Sequence, residues 1–262
     1  MTFFLISFGS ALGLVGIYWR KHLHMEQKGS WAKQMLQRLH LKRQAGKPAA
    51  SQVEMLLLTA DQQQEMKNLF MSAEAFFENG DLDEAEKLYI QVLSLDEAHL
   101  DANMRLGLIY LKKQLSKKAE AMFRKILGIA PADTLALSNL AYALYLQRNY
   151  LEAKEIYLQA LELDPTRAAR YINLAQVYRE LKEYEAAIQA VHKAFNLDPQ
   201  HNGYRLLLAE IYSDIGRHQD ARMIVQNILK HESEDTSLRR TARVLLKKID
   251  NAVNTLSAES AE

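Results

Sequence analysis

Apolar and polar positions along most of this chain follow the period of a helix. Apolar side chains recur three and four residues apart, which places them on one helix face and predicts an all-α protein. Gly80 and Gly216 lie between the two helices of a pair, where a left-handed backbone is favoured. Leu-Asp-Pro at 163–165 and at 197–199 ends the second helix of a pair, because proline donates no N–H and disfavours helix in the residue before it.

These pairs of helices repeat along the chain with one fixed spacing. Five alanines lie 34 residues apart: Ala85, Ala119, Ala153, Ala187 and Ala221. Three prolines keep the same spacing: Pro131, Pro165 and Pro199. Two independent residue types in one register predict stacked repeats and not a single globular core. Thr59 and Gln62 have the spacing of a capping box, which predicts the start of the first repeat helix.

The copies share a small set of residue types at matching positions. In the second copy they are Leu106, Gly107, Tyr110, Ala119 and Phe123. This set resembles the tetratricopeptide repeat (TPR) family, whose signature is L-G-x2-Y, then A-x3-F, then P, at a period of 34 residues. The tryptophan of the family signature is absent from every copy, and Glu97 and Ser233 replace the proline in the first and fifth copies. The resemblance implies a right-handed superhelical solenoid of five helix pairs, with a concave surface that binds other proteins.

The register assigns the repeats to residues 61–235. Their bounds are 66–99, 100–133, 134–167, 168–201 and 202–235. An apolar stripe with helical spacing follows them: Leu238, Ala242, Leu245 and Ile249. This stripe predicts a capping helix over residues 236–254, which would cover the end of the solenoid and keep a polar outer side. Residues 255–262 are small and acidic, so we expect a disordered tail there.

The start of the chain has the composition of a membrane span. Residues 3–19 carry no charge and would form a helix of about 25 Å, the lower edge of what crosses a bilayer core. We predict a transmembrane anchor; the alternative is a cleaved signal peptide, but the basic start and small-residue cleavage site of such a peptide are absent. Residues 20–47 hold eight Lys or Arg and one acid, although the whole chain has a net charge of +1. The positive-inside rule then places the N-terminus outside and the repeats in the cytoplasm.

Two patterns near the span indicate contacts within the membrane or on its surface. Gly9 and Gly13 have the spacing that lets two membrane helices touch, which predicts a homodimer contact; the alternative is that glycine is simply common in spans. Within the basic juxtamembrane segment and linker, residues 20–60, an amphipathic stretch is expected to rest on anionic lipid, the alternative being a solvated linker helix. The residues that would contact the lipid surface are Trp31, Lys33, Arg38, Lys42 and Arg43.

The residue patterns of catalysis, metal binding and cofactor binding are missing. The absence of cysteine excludes thiolate catalysis, disulfides and zinc–thiolate sites. The eight histidines show no metal-ligand spacing, and no glycine-rich phosphate loop or serine nucleophile motif occurs. The basic residues of the capping helix lack the interleaved aromatics typical of nucleic-acid binding. We therefore expect no enzymatic activity, no cofactor, no metal and no nucleic-acid partner.

The family resemblance also implies where a partner would bind. In the family, the second, fifth, ninth, twelfth and thirteenth residues of each first helix commonly face the ligand. In this chain the partner-binding groove residues would be Phe70, Glu74, Phe77, Met104, Leu108, Leu111, Tyr142, Tyr145, Gln176 and Arg179. The first three copies are apolar and aromatic with Glu74 and Glu78 at one end, so we expect a partner with aliphatic or aromatic anchors and nearby basic residues. The alternatives are that these side chains are buried between repeats, or that residues 51–60 cover them.

These expectations describe a membrane-tethered scaffold or adaptor that binds a partner protein or peptide in the assembly or biogenesis of a membrane-associated complex. The alternatives are an exported repeat chaperone of the periplasm or a lumen, and a structural homo-oligomer held together by its span. A clamp for the acidic tails of chaperones is not expected. That subtype carries lysine, asparagine and basic residues at positions that in this chain hold Met104, Leu108 and Gly203.

Overall fold

A computed structural model describes residues 58–231 and 237–259 of the chain. These residues form eleven α-helices and no strand. The helices are α1 (Ala60–Asn79), α2 (Leu82–Leu95), α3 (Leu100–Lys112), α4 (Ser116–Ile129), α5 (Thr134–Leu146), α6 (Tyr150–Leu163), α7 (Ala168–Glu180), α8 (Tyr184–Leu197), α9 (Gly203–Asp214), α10 (His218–His231) and α11 (Ser237–Glu259). The chain divides into two compact units, Met1–Gln63 and Gln64–Glu262.

Within the first unit, the predicted capping box at the start of α1 is confirmed. The backbone N of Gln62 donates to Oγ1 of Thr59 at 3.2 Å. The backbone N of Thr59 donates in return to Oε1 of Gln62 at 3.0 Å. Together these bonds satisfy two N–H groups that the start of a helix otherwise leaves without partners.

In the second unit, the helices pair and stack in the order of the chain. From α2 onward each helix packs against the next one, and the first helices α3, α5, α7 and α9 also contact one another in succession. All five periodic alanines are fully buried, because small side chains let the helices of neighbouring pairs approach closely. This arrangement confirms the all-helical solenoid that the period predicted.

Every helix pair turns through a residue with a left-handed backbone, and these residues keep the spacing of the repeats. They are Gly80, Gln114, Arg148, Lys182 and Gly216, with φ between 59° and 84°. The two glycines were predicted. The other three positions carry residues with a Cβ atom, for which a positive φ is unfavourable. Backbone hydrogen bonds hold the turn; for example, the N of Leu115 donates to the oxygen of Tyr110 at 2.8 Å. The end of the helix therefore imposes the conformation even where no glycine is present.

The side chain of Arg170, on α7, joins the third and fourth pairs. It is buried, and its guanidinium donates to the hydroxyls of Thr134 and Ser138 on α5 at 2.9 Å and 2.8 Å. It also donates to the backbone oxygen of Asp164 at 2.8 Å and to Oδ2 of the same residue at 2.6 Å. Hydrogen bonds from Thr166 and then from Arg170 hold the pKa of Asp164 well below its usual range. One buried cation thus connects α5, the end of α6 and α7.

The capping helix α11 packs on α9 and α10. Its buried side chains belong to the predicted stripe and are Ala242, Leu245 and Ile249. Arg222 of α10 adds an ion pair to Asp250 of α11, with 2.6 Å between Nη2 and Oδ1. The apolar end of the fifth pair is therefore covered, as a solenoid requires.

The end of α11 differs from the prediction. The helix continues to Glu259, so the assignment of residues 255–262 to a disordered tail is wrong for residues 255–259. No proline or glycine follows residue 254, and the leucine, alanine and glutamate of residues 255–259 favour helix. Small size and acidity alone therefore do not end a helix here.

The predictions for the start of the chain lie outside the described residues. Among the residues that are described, no helix is both long and apolar enough to cross a membrane. The predicted anchor, residues 3–19, and residues 20–57 of the juxtamembrane segment belong to the undescribed part. So do the predicted dimer and lipid contacts: Gly9, Gly13, Trp31, Lys33, Arg38, Lys42 and Arg43. These assignments stay predictions, as does the covering of the groove by residues 51–60, of which 51–57 also lie outside the described residues.

Candidate functional site: the surface of the first helices

The predicted groove residues lie on the first helices of four pairs, α1, α3, α5 and α7. None of them is fully buried between repeats. Those that are half-buried are Phe70, Glu74, Phe77, Met104, Leu108, Leu111, Tyr145, Gln176 and Arg179. Tyr142 is exposed. The half-buried apolar members pack partly against the core and keep part of their surface accessible.

The carboxylate of Glu74 is occupied within the fold. Its Oε2 accepts from Nη2 of Arg105 at 2.7 Å, and its Oε1 accepts from the hydroxyl of Tyr89. Burial and the hydrogen bond to Glu74 raise the pKa of Tyr89, which therefore stays protonated and donates. Arg105 already neutralises that carboxylate, so Glu74 offers little charge to the basic partner residues that the sequence led us to expect. Glu78 is exposed and has no such partner among the described residues.

Two cations cover the ring of Phe77. The guanidinium carbon of Arg105 lies 5.2 Å from the ring centroid, and Nζ of Lys112 lies 4.6 Å from it. Both distances are within the range of a cation–π contact. Phe70 is held differently, by stacking on His99 with ring centroids 5.0 Å apart. This end of the surface therefore presents fixed rings and the positive charge of Lys112.

The middle of the surface is apolar and aromatic. We call Leu135, Tyr142, Tyr145 and Leu146 the α5 patch, since all four lie on one face of α5. Three of them are exposed: Leu135 by 56%, Tyr142 by 37% and Leu146 by 40%. Tyr142 and Tyr145 stack with ring centroids 6.3 Å apart, and Tyr145 tilts against Tyr150 of α6 at 5.6 Å. The patch can therefore bind apolar side chains with little loss of its own conformational freedom.

Arg179, at the far end, is held by two carboxylates of the next pair. Its Nη1 lies 2.5 Å from Oε2 of Glu210, and its Nε lies 2.5 Å from Oδ2 of Asp214. Lys248 of α11 also approaches Asp214, at 3.8 Å. Arg179 therefore links α7 to α9 and is not a free cation for a partner. Gln176, one turn earlier, has no hydrogen-bond partner among the described residues.

Three residues that shape this surface were missed by sequence reasoning: Arg105, His99 and Tyr150. None of them occupies a position that the family pattern assigns to ligand contact. A pattern in the sequence could have identified Arg105 as an ion-pair partner. The pairs Glu74–Arg105 and Arg179–Glu210 both join residues 31 apart on successive first helices. Opposite charges at this spacing indicate ion pairs between neighbouring repeats.

Metal-ligating geometry is not found at this surface. Across the described residues, no group of three or more His, Asp or Glu side chains could hold a metal ion.

The comparisons with known proteins agree with this geometry. Two family models described as tetratricopeptide repeat match residues 70–134 and 134–167. The chain is a tetratricopeptide repeat protein. A further model, described as anaphase-promoting complex, cyclosome, subunit 3, matches residues 163–228. A search of curated proteins gives no match.

Several solved structures share the fold of this tetratricopeptide repeat protein. MamA (41-end) from Desulfovibrio magneticus is 19% identical with a TM-score of 0.62, over 68% of this chain and 100% of that one. TTC0263, a thermophilic TPR protein in Thermus thermophilus, is 21% identical with a TM-score of 0.56, over 69% and 98%. YrrB, described as a TPR protein with an unusual peptide-binding site, is 18% identical with a TM-score of 0.55, over 67% and 90%. At these identities the likeness shows the fold alone.

Proposed function

We propose that this protein is a membrane-tethered scaffold whose first-helix surface binds a segment of a partner protein. The observation that carries the proposal is the α5 patch, in which three large apolar side chains are exposed on one face of α5. Covering such side chains gains about 25 cal/mol per Å² of apolar area, so a partner that seats on them is stabilised. Repeat solenoids use their extended concave surfaces in this way.

The charges beside the α5 patch define the rest of the partner. Lys112 is exposed next to Phe77, while Arg105 and Glu74 neutralise each other. We therefore expect a segment with one or two large apolar anchors over α5 and an acidic residue toward Lys112. Charge complementarity of this kind adds specificity and speeds association.

Alanine substitution of the two stacked tyrosines tests the surface. The double variant Tyr142→Ala, Tyr145→Ala in the full-length protein is expected to lower partner capture about tenfold or more, since aromatic anchors commonly contribute about 2 kcal/mol or more. The measurement is affinity capture from membranes with quantitative identification of the proteins retained. Leu158→Ala is the control, because Leu158 is 44% exposed but lies on the second helix α6. A partner retained equally by wild type and by the tyrosine variant would contradict the proposal.

Tethering is the second part of the proposal, and it is supported by the uncharged residues 3–19 and the eight basic residues of 20–47. We infer that the N-terminus lies outside and the repeats in the cytoplasm. An anchor would hold the partner at the membrane and raise its local concentration there.

A topology experiment tests the tethering separately. A reporter fused after Glu262 is expected to be active in the cytoplasm, and deletion of residues 1–21 is expected to move the protein to the soluble fraction. Activity on the opposite side would contradict the orientation and favour an exported chaperone. Full-length protein in the soluble fraction would contradict the anchor itself.

A further inference from the structure

A cleft of about 530 Å³ opens between α8, α9 and α10, and none of the predicted groove residues lines it. Most of its lining is apolar and comes from the second helices α8 and α10. The lining residues that matter below are His192, Phe195, Arg205, Leu208, Met223 and Asn227. Met223 is 67% exposed, so the cleft is accessible from solvent. Its volume falls within the range typical of ligand sites.

The cleft lies at the position where the family signature has its tryptophan. That signature places tryptophan three residues before the leucine of L-G, and in the fifth repeat this position is Arg205, three before Leu208. In the four earlier repeats the matching residues are Leu69, Asn103, Leu137 and Tyr171, and all of them are buried or pack against the core. A guanidinium without a counter-charge cannot be buried in the same way. The space that a bulky apolar side chain would fill in this repeat is therefore open.

Arg205 lies at the edge of this space without a carboxylate partner among the described residues. Its guanidinium carbon lies 5.5 Å from the ring centroid of Phe195, and its Nη1 lies 3.5 Å from Oδ1 of Asn227. No acidic residue lines the cleft, and His192 is exposed beside it. A ligand with an anionic group next to an apolar group could therefore place the apolar group in the cleft and pair the anion with Arg205.

We propose that this cleft is a second docking site, which takes an aromatic side chain of a partner protein together with an adjacent Asp or Glu. The occupant is expected to have the size of an indole or phenyl ring, because the cleft lies where the family signature has a tryptophan side chain. The carboxylate pairs with Arg205, and the flexible side chain of Met223 closes over the ring. The site lies on helices other than those of the α5 patch, so it functions whether or not that patch binds a partner.

A peptide selection on the full-length protein tests the proposal. Displayed random 12-residue peptides are selected on wild type and on Arg205→Trp, which puts the missing ring into the slot. We expect the selection on wild type to enrich peptides that carry an aromatic residue next to an acidic one. We expect the same class to be depleted about tenfold in the selection on Arg205→Trp. The same class is expected to persist on Tyr142→Ala, Tyr145→Ala, which separates this site from the α5 patch.

Two further measurements keep the result unambiguous. Arg205→Trp is expected to raise the melting temperature because it fills a cavity, so lost binding cannot be attributed to unfolding. Arg205→Glu is expected to replace the acidic preference by a basic one. Equal enrichment on wild type and Arg205→Trp, or a lower melting temperature of that variant, would overturn the proposal. Saturable binding of indole-3-propionate without any enriched peptide would also overturn it and assign the cleft to a small aromatic acid.

Discussion

Replacement of Arg170 by methionine is expected to lower the free energy of unfolding by about 3 kcal/mol. The arginine is buried and donates hydrogen bonds to the hydroxyls of Thr134 and Ser138 and to two oxygens of Asp164. Methionine fills a similar volume but donates nothing, so these partners lose bonds at the contact between the third and fourth pairs. Urea unfolding followed by circular dichroism measures the change.

Arg167 provides the matched control for this experiment. It lies in the same connection and also approaches Asp164, but at 3.9 Å and with its side chain 73% exposed. Exposed ion pairs contribute little, so Arg167→Met is expected to unfold at nearly the same urea concentration as wild type. Equal losses in the two variants would show that burial of Arg170 is not what stabilises the contact.

The effect of Arg170→Met is also expected to depend on pH. Hydrogen bonds from Thr166 and Arg170 depress the pKa of Asp164 in the folded protein, whereas the unfolded chain has the ordinary value of about 3.9. A depressed pKa contributes stability above the unfolded pKa, and this contribution is lost as the pH falls through the folded pKa. The difference in urea midpoint between wild type and Arg170→Met should therefore be largest near neutral pH and shrink from about pH 5 downward.

Replacement of Gly107 by valine is expected to lower the free energy of unfolding by about 2–3 kcal/mol. A Cβ atom on Gly107 would lie 2.6 Å from Cε1 and 2.7 Å from Cζ of Phe123, whose ring is fully buried. The ring cannot move away, because the helices around it are closely packed. Thermal and urea unfolding of Gly107→Val against wild type give the magnitude.

A second glycine and a double variant isolate the cause. Gly128 lies near the end of α4 with nothing within 4 Å of a built Cβ, so Gly128→Val should change stability little. In a Phe123→Ala background the ring is gone, and Gly107→Val is expected to cost at least about 1 kcal/mol less than in wild type. Full additivity of the two substitutions would contradict the contact.

The architecture could be predicted because packing in a repeat protein is local. Each repeat contacts only its neighbours, so a period of small and aromatic residues describes most of the core contacts directly. The turns were predicted less completely. Glycine indicated the left-handed residues at 80 and 216, but Gln114, Arg148 and Lys182 adopt the same conformation because the helix end requires it.

The family positions selected residues of the first-helix surface but carried no information on their charge partners. Tyr142 is accessible there, yet two charged residues assigned to a partner have partners inside the fold. Glu74 is bound by Arg105, and Arg179 is bound by Glu210 and Asp214. Long charged side chains reach across to the next first helix, and a pattern read one helix at a time does not include that neighbour.

The sequence by itself determined the all-helical repeat architecture and the start of α1, because both depend on spacing along the chain. Only the tertiary structure decided which charges are neutralised, that three large side chains of α5 stay exposed, and that a cleft opens at Arg205. The physical reason is that burial and ion pairing depend on distances between helices one repeat apart, which residue spacing alone does not specify.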